Sequence, residues 1–83
     1  MRLSGRVQGV FFRDSARQVA NEHNVAGSAR NLPDGRLEIV LEGPAEAVSE
    51  VVTWAETGPE FARVDAVEIV DEEPQGLRGF TID

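Results

Sequence analysis

Val25-Ala26-Gly27-Ser28-Ala29-Arg30-Asn31-Leu32-Pro33-Asp34-Gly35-Arg36-Leu37-Glu38-Ile39-Val40-Leu41-Glu42 reads as two strands joined by a tight turn, and its place between two helical stretches decides the fold. Arg36 to Glu42 alternates with Leu37, Ile39 and Leu41 on one face, the period of a half-buried strand. Leu32-Pro33-Asp34-Gly35 combines the residue types that reverse a chain. Val25 to Arg30 is a weaker strand, because Gly27, Ser28 and Ala29 give it little bulk.

Upstream, Phe12, Ala16, Val19 and Ala20 fall on one face at helical spacing and predict a helix from about Phe12 to His23. Asn24, which tolerates the left-handed conformation, is its expected terminator. Met1 to Val7 reads as a short strand through Leu3, and Gln8 to Phe12, with Gly9, as a turn into the helix. Downstream, Gly43-Pro44 opens a second helix, proline being tolerated in the first turn. Ala45, Val48, Val52 and Ala55 form its expected buried stripe, with Glu46, Glu50 and Glu56 on the wet side. Thr57-Gly58-Pro59 stops it. Val64 to Val70 is a further strand and Gly79 to Ile82 a short last one. The order β-α-β-β-α-β plus a short fifth strand predicts an α+β, ferredoxin-like sandwich: an antiparallel sheet with two helices on one face.

At 83 residues, residues 1–83 are expected to form one domain, and an apolar share of 41% suffices for one core. With no cysteine there is no disulfide, thiolate nucleophile or Cys-ligated metal. No apolar run reaches the roughly 20 residues that span a bilayer, and Met-Arg-Leu-Ser-Gly is no charged-then-apolar leader. A cytoplasmic protein without membrane contact is expected. A net charge of −7 argues against nucleic acid, whose backbone is bound by basic surfaces. Its distribution says more. Arg2, Arg6 and Arg13 stand in the first 13 residues with no acid among them, while the rest holds all 15 acids and five arginines. A local positive island in an anionic protein suits a small anion. There is no lysine, which high-GC coding or a salt-adapted proteome would each produce.

Gly5-Arg6-Val7-Gln8-Gly9-Val10-Phe11-Phe12-Arg13 concentrates the candidate chemistry. A strand that passes through a glycine-containing turn into a helix presents several unpaired N–H groups at the positive end of a helix dipole, a ready anion site. Arg13 stands in the first helical turn, where a cation is disfavoured by some tenths of a kcal/mol. Two explanations stand side by side: a phosphate lies between and is gripped by the guanidinium, or Arg13 pairs with Asp14 or Asp34. Asn31, before a turn, is by itself an ordinary turn-capping residue. A helix of about 11 residues travels roughly 16 Å, and a returning strand of five or six covers about 17–20 Å. Asn31 should therefore come back to the edge where the first strand releases its loop. His23 sits at a helix C-terminus with no Ser or acid placed to make it a base. Trp54 reads as a packing residue, and Asp71-Glu72-Glu73 as a solvated strand end rather than metal ligands.

Gly-Arg-Val-Gln-Gly-Val-Phe-Phe-Arg at 5–13 closely resembles the signature of acylphosphatases, and Arg30-Asn31-Leu32-Pro33-Asp34-Gly35-Arg36-Leu37-Glu38 resembles their second signature. Glu42-Gly43-Pro44 fits as well, so the resemblance runs through the whole chain. It implies a hydrolase of acyl phosphates, with inorganic phosphate as product and inhibitor, in which the loop Gln8, Gly9, Val10, Phe11, Phe12 and Arg13 holds the phosphate. Arg13 would be the principal ligand and Asn31 would position the attacking water. No cofactor and no metal are implied, and a monomer is expected. A carboxylate leaves easily, so neither a strong general acid nor a protein nucleophile is needed. The chain departs from the resemblance in a short first strand and in Ser28-Ala29, where a large aromatic and a branched residue are usual. Phe11 or Trp54 is expected to make up that volume.

The rival readings are a non-catalytic phosphate-binding or regulatory domain of the same fold, and an RNA-binding βαββαβ domain. The second needs aromatics on the open sheet face and basic flanks, and the chain has neither.

Overall fold

The computed structural model describes residues 1–83. Its elements in order are β1 (Arg2–Arg6), α1 (Phe12–Glu22), β2 (Ala26–Asn31), β3 (Leu37–Glu42), α2 (Ala45–Thr57), β4 (Arg63–Glu68) and β5 (Phe80–Ile82). One sheet runs β4-β1-β3-β2-β5. The pairs β4–β1, β1–β3 and β3–β2 are antiparallel, and β5 adds to β2 in parallel. The expected ferredoxin-like body is present, and the fifth strand gives it one parallel edge.

Alpha-1 forms on the predicted face. Phe12, Ala16 and Ala20 are buried, and the two alanines let the helix lie close to the sheet. It ends as Asn24 predicts, at φ 56. Asn24 N–H donates to the Asn21 carbonyl at 3.2 Å and Val25 N–H to that of Ala20 at 2.8 Å. Those are the two bonds of a Schellman cap, and buried Val25 supplies its apolar contact. The His23 imidazole is used locally, Nδ1 donating to the Val19 carbonyl at 2.9 Å.

Alpha-2 is rotated from expectation. Val51 and Ala55 are its buried residues, with Ala47, Val48 and Trp54 packed against the core. Ala45 is exposed and Val52 only half-buried. Apolar residues at 45, 47, 48, 51, 52, 54 and 55 make a stripe too broad for periodicity to find its centre. Trp54 meets Phe12 edge to face, centroids 5.4 Å apart and planes at 71°. A Cβ on Gly58, just past α2, would come within 2.6 Å of the Phe12 ring. The end of α2 and the start of α1 are thus locked around Phe12, next to Arg13.

The core is one cluster, with Leu3, Phe12, Leu37, Ile39 and Val51 among its largest members. Phe11, expected as a possible filler beside Trp54, is 72% exposed and fills nothing. Gly27 explains part of the small-residue run in β2. A Cβ there would collide with the Val40 carbonyl of the neighbouring strand, so small residues let β2 and β3 approach.

The other departures lie toward the C-terminus. Beta-4 ends at Glu68, short of the expected Val70. An irregular stretch follows, pinned where Glu42 accepts N–H bonds from Gln75 (3.1 Å), Gly76 (2.7 Å) and Leu77 (3.2 Å). Asp71, Glu72 and Glu73 lie exposed within it.

Candidate active site

Beta-1 leaves the sheet after Arg6, and the chain turns through Val7–Phe11 into α1. Gly9 has φ 71 and Phe11 φ 62, while Val10 between them keeps a negative φ. Alternation of this kind curls successive N–H groups inward into a nest. A left-handed phenylalanine is costly, by roughly 1–2 kcal/mol, and Phe11 is exposed, so burial does not offset that cost. The strain sits where the loop must present its N–H groups. None of Gln8, Gly9, Val10 or Phe11 donates its N–H to a protein acceptor. The first helical bond runs from Ser15 N–H to the Phe11 carbonyl at 3.1 Å, and no side chain caps the helix. Four loop N–H groups and the free N–H groups of the first turn are therefore left without protein partners at the positive end of α1.

A cavity of about 280 Å³ opens at this point, lined by Val7, Gly9, Phe11, Phe12, Arg13, Asp14, Asn31 and Ile82. Arg13 and Asn31 share it, as the strand and helix lengths predict. The ion-pair alternative for Arg13 is not what forms. Asp14 holds Arg17 at 3.3 Å and Asp34 holds Arg36 at 2.7 Å. Arg13 Nη1 instead donates to the main-chain oxygen of Asp83, beyond β5. That contact orients the guanidinium, which enters no ion pair with a side-chain carboxylate.

Asn31 closes β2 opposite Leu37. The turn that follows is built without its side chain. Leu32 N–H donates to the Arg36 carbonyl at 2.8 Å and Gly35 N–H to that of Leu32 at 3.1 Å. The Asp34 carboxylate accepts from Arg36 N–H and Nε at 3.1 and 2.7 Å. Those bonds hold the Asp34 carboxyl below its usual range, Arg36 N–H contributing most. The exposed Asn31 amide enters no hydrogen bond, so the turn-capping role falls to Asp34.

Two expected loop residues contribute no side chain to the cavity. Val10 is buried in the core. Gln8 Nε2 donates at 2.9 Å to both the Leu32 and the Arg36 carbonyls, tying the loop after β1 to the turn after β2. Toward an anion, both residues can act only through main-chain N–H. Sequence reasoning missed Val7, Asp14 and Ile82. Val7 lies inside the quoted motif and Asp14 directly follows it, so both were within reach. Ile82 carries no local signal, because only the parallel pairing of β5 with β2 brings it there.

The family model for acylphosphatase matches residues 1–82. The chain belongs to the acylphosphatase family. It is 58% identical over 82 residues to an acylphosphatase of Rubrobacter xylanophilus, covering 96% of this chain and 74% of that one. With an acylphosphatase of Natronomonas pharaonis it shares 49% over 80 residues, 96% of this chain and 87% of the other. Among solved structures, the acylphosphatase of Bacillus subtilis superposes with a TM-score of 0.94 at 34% identity, over 99% of this chain and 92% of that one. The match runs through β1 to β5 and includes every element that lines the cavity, so this acylphosphatase domain carries the whole of its candidate site.

Proposed function

We propose that this acylphosphatase hydrolyses the carboxyl–phosphate bond of a small acyl phosphate by direct attack of water. Water adds to phosphorus, the bond from phosphorus to the carboxyl oxygen breaks, and the carboxylate leaves with the electron pair. The water proton passes to a phosphoryl oxygen. Asp14, the one carboxylate on the cavity wall, is engaged with Arg17. The N–H groups of the loop from Gln8 to Phe12 and the Arg13 guanidinium hold the phosphoryl oxygens and stabilise the charge they gain. The Asn31 amide orients the water. The observation that carries this reading is the shared cavity: a guanidinium without a side-chain ion pair and a free amide meet beside a loop of unbonded N–H groups.

The reading is of a metal-independent, cofactor-free enzyme. No group of three or more His, Cys, Asp or Glu side chains is arranged to hold a metal. No helix is long and apolar enough to cross a membrane, and the absence of cysteine fits work in the reducing cytoplasm. Benzoyl phosphate hydrolysis, followed with and without EDTA, tests the proposal. Turnover should be the same in both. Activity lost to the chelator and restored by a divalent ion overturns the metal-free mechanism. Phosphate binding without turnover makes the chain a non-catalytic phosphate binder.

A further inference from the structure

Two segments carry the candidate site, and the sheet does not tie them to each other. Beta-1 pairs with β3 only at Arg2 and Leu3, opposite Glu38 and Leu37. From Ser4 to Arg6 it pairs with β4 alone, past an irregularity between Ser4 and Gly5. Asn31 stands on β2, opposite Leu37 of β3. No ladder therefore spans the gap where the loop Val7–Phe11 passes the turn Leu32–Arg36. The Gln8 amide spans it. Its Nε2 donates at 2.9 Å to the Leu32 carbonyl and at 2.9 Å to that of Arg36. No other hydrogen bond joins residues 7–11 to residues 31–36. Each of these carbonyls already accepts one turn N–H, from Gly35 and from Leu32 respectively. The Gln8 hydrogens take up the remaining acceptor capacity. The amide thus lies across the base of the turn, bonded to the residue after Asn31 and to the residue before Leu37. On its own side Gln8 is half-buried, between the buried anchors Val7 and Val10.

We propose that Gln8 is a positioning residue, whose side chain sets the separation between the bound phosphoryl group and the attacking water. The role rests on the proposed mechanism, in which the loop N–H groups hold the phosphoryl oxygens and Asn31 orients the water. The main chain of Gln8 belongs to the loop, and its side chain fixes the strand end that carries Asn31. One residue therefore reaches both halves of the reacting pair. Geometry at a reacting centre is unforgiving, and a misplacement of about 1 Å costs on the order of a hundredfold in rate. The contact also needs donors at this reach. An ionised glutamate of the same length offers none, and methionine fills a similar volume without one. Because the amide hydrogens are spent on the turn, the side chain does not grip the anion. Its loss acts on Asn31 and so on turnover.

The test is a double-mutant cycle read in benzoyl phosphate hydrolysis. Gln8→Met should lower kcat about tenfold or more, with KM and the phosphate inhibition constant held within about threefold. In an Asn31→Ala background the same substitution should lower kcat by less than about threefold, because the group it positions is gone. An equal loss in both backgrounds would show that Gln8 only supports the fold, and overturns the proposal. A phosphate inhibition constant that worsens in step with kcat does the same. Gln8→Glu gives a second reading that stands even where Gln8→Met does not fold. Facing two carbonyls, the introduced carboxyl ionises above the ordinary value of about 4.3. Protonated it donates one bond, and ionised it donates none. Its kcat relative to the wild type should therefore rise severalfold from about pH 7 to about pH 4.5. A flat ratio overturns the proposal. Failure of the underlying mechanism is distinct, because Asn31→Ala at wild-type kcat reveals it with Gln8 intact and takes the positioning role with it.

Discussion

Arg13 breaks a local rule and Asn31 leaves a local opportunity unused. A cation in the first turn of α1 opposes the helix dipole, and the two nearby acids that could compensate it are held by Arg17 and Arg36. An amide before a turn normally bonds to that turn, yet Asp34 and Gln8 hold it instead. Such departures mark groups kept for a ligand. In the proposed reaction the two residues divide the work, since gripping an anion and placing a water are separable. Asn31→Ala should lower kcat by about a hundredfold or more while inhibition by phosphate stays nearly unchanged, because a misplaced water costs turnover rather than anion affinity. A variant with wild-type kcat would show that Asn31 has no part in the reaction. At this scale the oddity of Arg13 was legible in the sequence, because it is local. The role of Gln8 was less so, since its amide acts on carbonyls of residues 32 and 36 that no spacing rule connects to it.

At the scale of elements, Glu42 has the widest reach. Placed at the end of β3, it gathers three N–H groups from residues 75–77 and so fixes the irregular stretch between β4 and β5. Those bonds, the one from Gln75 first, hold its carboxyl below the usual glutamate range against the opposing effect of desolvation. Because the folded pKa is depressed, the stability Glu42 contributes is present above about pH 4.3, the ordinary glutamate value. It is lost as pH falls through the lower folded value. Glu38 behaves alike: burial pushes its carboxyl up, and the bonds from Arg2 and Arg30 outweigh it and lower it. Glu42→Gln should therefore melt below the wild type at pH 7, with the gap closing as pH drops below about 4.3. A gap that persists unchanged in acid would mean that charge on Glu42 does not hold the segment. The α1 cap was legible because Asn24 and Val25 act within a few residues. The phase of α2 was not, because its broad apolar stripe becomes one-sided only against a partner.

For the molecule as a whole, ligand binding and stability are one equilibrium. If phosphate binds the native loop and not the unfolded chain, phosphate at ten times its dissociation constant adds about 1.4 kcal/mol. For a domain this small that is a rise in Tm of several degrees. The comparison is made at constant ionic strength, with chloride in place of phosphate, because a chain of net charge −7 also responds to general screening. Arg13→Ala should abolish the phosphate-specific rise, and Arg13→Lys should keep part of it with little turnover, a point charge lacking the two-pronged grip. Full stabilisation of Arg13→Ala by phosphate would place the anion elsewhere. The sequence by itself determined the element order, the fold class, the position of the candidate phosphate loop and the cap that ends α1. Each of those is written in short-range periods, turn residues and helix-end preferences that act over a few positions. Only the tertiary structure decided the parallel seating of β5, which brings Ile82 to the cavity and Asp83 to Arg13. It alone decided the Gln8 tie, the exposure of Phe11 and the rotation of α2. These depend on pairing between segments far apart in the chain, where register and packing are chosen jointly by all the elements and no local pattern specifies the partner.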